Sequence, residues 1–280
     1  MSDSTSIPAA SASTRADVSD EPLLVDTHAH LCDTVFDKDR SAVLDRARRS
    51  GVGSVVAVGE TLADAQMNLE LAERYPTQVR PTAGLFPTIL DLEQAVAVEE
   101  FIRHEHHRLF AVGEVGLDLW KVQDPGDREL QREIFSRFVD LAIELALPLN
   151  VHSRAAGRPT IELLMERGAR RVQMHAFDGR AAKAMPGVEA GYYFSVPPSI
   201  VRSAQKQKLV RSLPLSCLLL ETDSPVLGAV AEERNEPANL RASLHALAEI
   251  KGIASQEVAE AVTDNTERLY GSRILATQPA

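Results

Sequence analysis

Leu23-Leu24-Val25-Asp26-Thr27-His28-Ala29-His30 runs an apolar, strand-like segment directly into two histidines two residues apart. In an extended chain, residues i and i+2 point to one side, so both imidazoles can reach a single ion. The spacing alone is common. The chain repeats it at His104 and His106 inside the charged segment Arg103 to Arg108, where a solvated helix end accounts for it. His28 and His30 differ because they terminate an apolar strand. The fold question is then whether other candidate ligands stand at equivalent places.

Seven further apolar runs follow Leu23 to Thr27. They are Ser54 to Val58, Val79 to Leu85, Leu109 to Val115, Leu147 to Val151, Arg171 to His175, Gly191 to Val196 and Cys217 to Glu221. Helical patterns fill the intervals at Arg40 to Ser50, Thr61 to Tyr75, Asp91 to His107 and Glu129 to Leu145. Pro159 to Arg167, Ala181 to Ala190, Ser199 to Leu213 and Pro237 to Lys251 continue the series. In Glu129 to Leu145, residues Ile134, Phe135, Phe138, Leu141, Ala142 and Leu145 recur at the spacing of one buried helix face. The strand-like runs show little alternation, as parallel strands covered on both faces do. Such strand–helix units fit a (β/α)8 barrel or a doubly wound open sheet.

The remaining ligand candidates decide. Glu114 ends the fourth run, His152 the fifth and His175 the sixth, and Asp223 follows the eighth. One such residue would be an ordinary satisfied buried group. Ligand-type residues at the same end of so many strands converge only in a barrel, at the face where active sites of that fold sit. An open sheet would spread them across its width. The expected fold is α/β, a (β/α)8 TIM barrel over residues 23–272, with a disordered N-terminal tail at 1–22 and a C-terminal tail at 273–280. Four imidazoles and two carboxylates exceed the needs of one tetrahedral ion. They suit two divalent ions about 3.5–4 Å apart, with Glu114 as the bridge. Asp223 would hold one ion and take a proton from the water that attacks an electrophilic carbon or phosphorus.

Composition narrows the function classes. The 280 residues are 44% hydrophobic and 25% charged, as in ordinary globular proteins. No apolar stretch is long enough for a membrane span. A net charge of −10 excludes a broad basic footprint for nucleic acid, so any phosphate contacts would be local. Two cysteines, Cys32 and Cys217, do not form a disulfide scaffold and suit a reducing compartment. The first 22 residues lack the apolar core of a signal peptide. The expected location is cytoplasmic, or nuclear in a eukaryote, and not secreted.

With these residues assembled, the sequence resembles the TatD family of metal-dependent deoxyribonucleases, within the amidohydrolase superfamily, from about Leu24 to Tyr270. The resemblance is carried by Asp26-Thr27-His28-x-His30, by Gly113-Glu114-x-Gly116-Leu117-Asp118, and by the Gln131 to Arg154 stretch ending in Val151-His152-Ser153-Arg154. His175-Ala176-Phe177-Asp178-Gly179, Glu221-Thr222-Asp223-Ser224-Pro225 and Asn235-Glu236-Pro237-Ala238-Asn239 also match. It implies a barrel that binds two divalent cations and hydrolyses phosphodiester bonds in DNA. His28, His30, Glu114, His152, His175 and Asp223 match the family's metal-binding positions. Imidazole-rich ligation suits zinc or manganese, and the resemblance adds magnesium. Glu114 stands where many other amidohydrolases carry a modified lysine.

One position departs from the family pattern. Members usually read Gly-Ile/Leu-His-Pro after the third strand, and this chain reads Gly84-Leu85-Phe86-Pro87. The change leaves the six ligands intact and removes a polar donor to a substrate phosphate. Phe86 either packs at the barrel rim or stacks on a base or sugar. Arg154 is a candidate phosphate contact, with a rim salt bridge as the other reading; Arg180 and Lys121 are secondary candidates. Thr222, Ser224 and Asp26 are candidate orienters of the ligands, and Cys32 reads as a small filler. Asn235 and Asn239 shape the entrance or cap a helix. Two functions compete: a nuclease acting on DNA, and a hydrolase of the same scaffold acting on a small phosphoester, ester or amide. The intact ligand set argues against a non-catalytic binding module.

Overall fold

A computed structural model describes residues 22–275. Apart from Pro22, the expected N-terminal tail lies outside the described residues, as do the last five residues of the expected C-terminal tail. Eight parallel strands pair in chain order: β1 (Leu24–Ala29), β2 (Val52–Ala57), β3 (Val79–Ala83), β4 (Ala111–Gly116), β5 (Leu149–His152), β6 (Val172–Met174), β7 (Tyr193–Val196) and β8 (Leu218–Leu220). After β8 the chain returns to β1. Asp223 N donates to the His28 carbonyl and His30 N to the Ser224 carbonyl, each at 2.8 Å. The intervening helices are α1 (Arg40–Arg49), α2 (Leu62–Arg74), α3 (Leu92–Glu105), α4 (Pro125–Glu144), α5 (Gly157–Glu166), α6 (Ala181–Glu189) and α7 (Ala204–Ser212). α8 (Leu240–Lys251) and α9 (Ser255–Tyr270) follow β8. This is the expected barrel. Among the described residues no helix is long and apolar enough to cross a membrane.

Both faces of the strands are buried, and alternate residues serve different layers. Leu24, Val55, Leu149, Val151, Val172 and Met174 join the apolar layer beneath the helices. Val25, Val56, Ala111 and Leu219 instead form a cluster with Leu269, Tyr270 and Ile274, which close the N-terminal end of the barrel. Between that cluster and the ligands lies a buried polar layer of Thr27, Asn150, Gln173, Ser195 and Glu221. It carries the hydrogen bonds that orient the site.

Several boundaries differ from expectation for identifiable reasons. α4 starts at Pro125 rather than Glu129, because proline is well accommodated in a first helical turn. Asp124 caps it, accepting from Gly126 N at 2.8 Å and Asp127 N at 3.2 Å. The segment 199–213 is not one helix: a 3-10 turn, Pro198–Val201, precedes α7, and the Ser203 hydroxyl caps α7 by accepting from Lys206 N. α9 was not anticipated, since eight strand–helix units already completed a barrel. The packed chain also continues beyond the expected boundary at 272. Ser272–Leu275 form a 3-10 turn whose Ile274 is fully buried. The Ile274 carbonyl accepts from Ser54 Oγ at 2.6 Å and Arg80 Nε at 2.9 Å.

Gly116, two residues past Glu114, shows how closely neighbouring strands approach. Gly116 has φ +149°, and a Cβ there would lie 2.0 Å from the His152 carbonyl oxygen. Gly116→Ala is expected to cost about 3 kcal/mol or more, because neither backbone can yield cheaply. Urea unfolding would show a lower midpoint at unchanged slope. A cost below about 1 kcal/mol would mean that β4 and β5 separate easily.

Candidate metal centre

The six sequence-predicted ligands meet at the C-terminal end of the barrel as two adjoining donor groups that share Glu114. In the first group, His28 Nε2 lies 3.4 Å from His30 Nε2, 3.8 Å from Glu114 Oε2 and 3.5 Å from Asp223 Oδ1. His30 Nε2 lies 3.5 Å from each of the same two oxygens. Ligand atoms of a tetrahedral ion with bonds of about 2.0–2.1 Å lie about 3.3–3.4 Å apart, so this spacing fits one cation. In the second group, the other oxygen, Glu114 Oε1, lies 2.8 Å from His152 Nδ1 and 3.0 Å from His175 Nε2. The two imidazole nitrogens are 3.3 Å apart. Glu114 Oε2 is buried without a hydrogen-bond donor, which is the mark of an oxygen suited to a cation. The His/Glu clusters can therefore hold metal.

Hydrogen bonds fix which nitrogen His28 and His152 present. Asn150 Nδ2 donates to the Thr27 carbonyl at 2.9 Å and to the Tyr270 hydroxyl at 3.2 Å. Its Oδ1 is thus left to accept from His28 Nδ1 at 2.8 Å, which turns the His28 Nε2 lone pair towards the first group. On the other side, the Glu221 carboxylate accepts from Ala176 N at 2.8 Å and Ser195 Oγ at 2.7 Å. It stands 3.6 Å from His175 Nδ1, an electrostatic approach rather than a hydrogen bond, while His175 Nε2 faces the second group. Tyr270 O–H donates to Gln173 Oε1 at 2.6 Å, and Gln173 Nε2 donates to Ser195 Oγ at 2.9 Å. A hydrogen-bonded chain therefore runs beneath the site from His28 through Asn150, Tyr270, Gln173 and Ser195 to Glu221, which faces His175 electrostatically at 3.6 Å. Asp118, part of the quoted motif but given no role from sequence, holds the outer nitrogen of His152 at 3.1 Å.

The electrostatics favour cation binding. Burial pushes His28 down to about 3, with the neighbouring His175 adding to the effect, so its ring is neutral near pH 7. Burial disfavours the charge on Glu114, but His175, His152 and His28 outweigh it and hold the carboxyl well below its usual range. Burial likewise opposes a proton on His30, yet Asp223 and Glu114 raise it to about 9. Such protons are what a bound cation displaces.

The centre opens into a cavity of about 430 Å³. Phe86 lines it and sets its ring edge-to-face on His152, with centroids 5.2 Å apart. Arg154 lines it too. Among the described residues it forms no rim salt bridge; its guanidinium stacks instead on the half-exposed Trp120, 3.8 Å from the ring centre. Lys121 lines a second cavity beyond Phe86, and Arg180 lines neither. Two charged residues of the cavity, Glu60 and Lys206, lie outside the motifs quoted from the sequence. Glu60, just past β2, was legible as a strand-end carboxylate, whereas Lys206 lies within α7 and carries no local signal.

The expected orienters act differently from the sequence reading. Asp26, which burial raises to about 8, accepts from Thr222 N and Thr222 Oγ1 and bonds only the backbone N of His28. Thr222 and Ser224 bond each other rather than Asp223. Asn235 holds the Asp223 loop by donating to the Thr222 and Val226 carbonyls at 2.8 Å each. Asn239 sits at the N-cap of α8 but makes no capping bond. The Cys32 thiol donates to the Val58 carbonyl at 3.4 Å and does not line the cavity.

The buried chain of hydrogen bonds makes a prediction. Tyr270→Phe removes one hydroxyl that touches no ligand and reaches His28 only through Asn150, and it should weaken metal affinity about tenfold, the lower end for such supporting groups. Isothermal titration with manganese or zinc measures it. Affinity equal to that of the unaltered protein would show that Asn150 and Gln173 hold the ligands unaided.

Comparison with known proteins agrees with this geometry. A family model described as TatD related DNase matches residues 25–271. The chain is 48% identical over 261 residues to the mouse protein named putative deoxyribonuclease TATDN3, covering 88% of each. It is 46% identical over 261 residues to human deoxyribonuclease TATDN3, covering 88% of this chain and 94% of that one. The crystal structure of YjjV, a TatD homolog from Escherichia coli, superposes with a TM-score of 0.81 at 29% identity, covering 88% of this chain and 97% of that one. The matched span takes in every strand that carries a donor and the α9 tyrosine that braces them, and the chain belongs to the TatD family of metal-dependent hydrolases.

Proposed function

We propose that the protein is a TatD-type deoxyribonuclease that hydrolyses phosphodiester bonds with two divalent ions, magnesium, manganese or zinc. The observation that carries this reading is Glu114, whose two oxygens face separate donor groups. His28, His30, Asp223 and Glu114 Oε2 would hold one ion, and His152, His175 and Glu114 Oε1 the other. Bound ions would supply positive charge to the phosphate oxygens and acidify the attacking water. Asp223 lines the cavity and is placed to accept the proton of that water. Arg154, steadied on Trp120, would bind a phosphate oxygen. Phe86 offers an aromatic wall for a base or sugar. The deoxyribonuclease names of the similar mouse and human proteins support DNA as substrate. The two unpaired cysteines support a reducing compartment, cytoplasmic or nuclear.

A second reading, hydrolysis of a small phosphoester, ester or amide, draws on Glu60 and Asp178, whose carboxylates edge the cavity and repel a polyanion. The two separate in one experiment. Chelated protein, restored in turn with each metal, is incubated with labelled single-stranded and duplex DNA and with chromogenic phosphodiesters and esters. Metal-dependent DNA cleavage is expected. Turnover of a small ester with intact DNA would select the second reading.

A further inference from the structure

Lys206 projects from α7 into the cavity that also exposes His30, Glu114, His152, His175 and Asp223. An ammonium carries three N–H donors. Here one is used, on the Ala176 carbonyl at 3.1 Å, and among the described residues Lys206 forms no ion pair. A cation so placed is expensive to bury unless something compensates it. The charged groups that act on it from greater distance are Glu221, Asp223, Asp178 and Arg202. Of the three carboxylates, Glu221 is already engaged by Ser195 and Ala176, and Asp178 accepts from Ala155 N at 2.9 Å. Asp223 belongs to the first donor group, so a cation there would take its charge. The position of Lys206 is not accidental to a loose side chain. Ser203 caps α7, and the adjacent Gln205 donates to the Gly179 carbonyl at 2.7 Å, which ties this turn to the loop after β6.

The cavity is consequently two-sided. Arg154 and Lys206 come from the segments after β5 and β7, whereas Phe86 and Glu60 come from those after β3 and β2. Around a closed barrel the segments after β3 and β7 stand opposite each other, so Lys206 faces Phe86 across the cavity with Arg154, after β5, between them. We propose that Lys206 is a phosphate-binding residue, its ammonium taking a non-bridging oxygen of the substrate phosphate beside the loop that follows β6. The phosphate is then drawn to Lys206, within reach of Arg154, and the organic portion is turned across the cavity towards Phe86. The inference rests on the phosphoester reading of the site, and it explains how a chain of net charge −10 attracts a phosphate locally.

The test uses the full-length, metal-loaded protein and two variants, Lys206→Met, which keeps the length of the stem, and Lys206→Arg, which keeps the charge. Inorganic phosphate is the binding probe, measured by calorimetry; a chromogenic phosphodiester and single-stranded DNA supply kcat and KM. Lys206→Met should weaken phosphate binding and raise KM about tenfold each, as loss of a charge-assisted bond requires. It should leave kcat within about threefold and metal affinity unchanged, and Lys206→Arg should recover most of the loss. Unchanged phosphate affinity and KM in Lys206→Met would overturn the proposal. So would a parallel fall in metal affinity, since Lys206 would then be a brace for the His175 loop. If the unaltered protein hydrolyses no phosphoester yet binds phosphate through Lys206, the anion site stands and the nuclease reading falls.

Discussion

Glu114→Gln is expected to lower DNA hydrolysis by about a thousandfold or more while the barrel stays folded. Glutamine preserves the shape of the side chain but removes the charge that faces His28 and His30 on one side and His152 and His175 on the other. Its amide must also turn an N–H₂ towards one of the two donor groups, where a lone pair is needed. Elemental analysis should therefore show one ion or none per chain in place of two. Asp118→Asn is the milder comparison. Asp118 touches only His152 among the six, so a loss of about 10–100-fold is expected. A Glu114→Gln protein that keeps two ions and loses less than tenfold in rate would sink the bridging assignment.

Removing the ions should have the second large effect, on stability as well as activity. An ion that binds only the folded chain, present at a thousandfold its Kd, contributes about 4 kcal/mol. For a domain of this size each kcal/mol moves Tm by about 2–4 °C, so chelation should lower Tm by roughly 10 °C or more. Restoring manganese, zinc or magnesium should recover it in the order of affinity. Differential scanning calorimetry of chelated and reloaded protein measures the shift, and DNA cleavage should vanish and return with it. Equal Tm values with and without metal would mean that the donor groups bind no ion tightly under those conditions.

The same centre shows what kind of information a sequence holds. His28, His30, Glu114, His152, His175 and Asp223 could be found from the chain alone because each stands at or just past the end of an apolar run. Strand ends in a parallel barrel share one face, so local position along the chain translates directly into nearness in space. The same logic identified Arg154 as part of the catalytic face. It did not identify its partner: stacking on Trp120 depends on how the loops after β4 and β5 lie on each other. Lys206 was hidden for a related reason. A lysine in a polar helix usually means solvent, and only the packing of α7 against the loop after β6 turns it into the cavity.

The polar layer beneath the site was further from reach. Asn150, Gln173 and Ser195 sit on three different strands, Glu221 directly follows a fourth, and Tyr270 arrives from a helix that completes no strand–helix unit. Asp26 looked like the partner of His28 because the two are neighbours in the chain, yet the ring is held by Asn150, 122 residues away. By itself, the sequence determined the barrel and the end of it where the six candidate donors meet, because periodicity and strand-end position are local properties. Only the tertiary structure decided that Glu114 divides its oxygens between two groups, which ring nitrogens face them, and that Lys206 and Arg154 share a cavity. Those facts depend on atomic separations across strands, which barrel closure sets and no local pattern encodes.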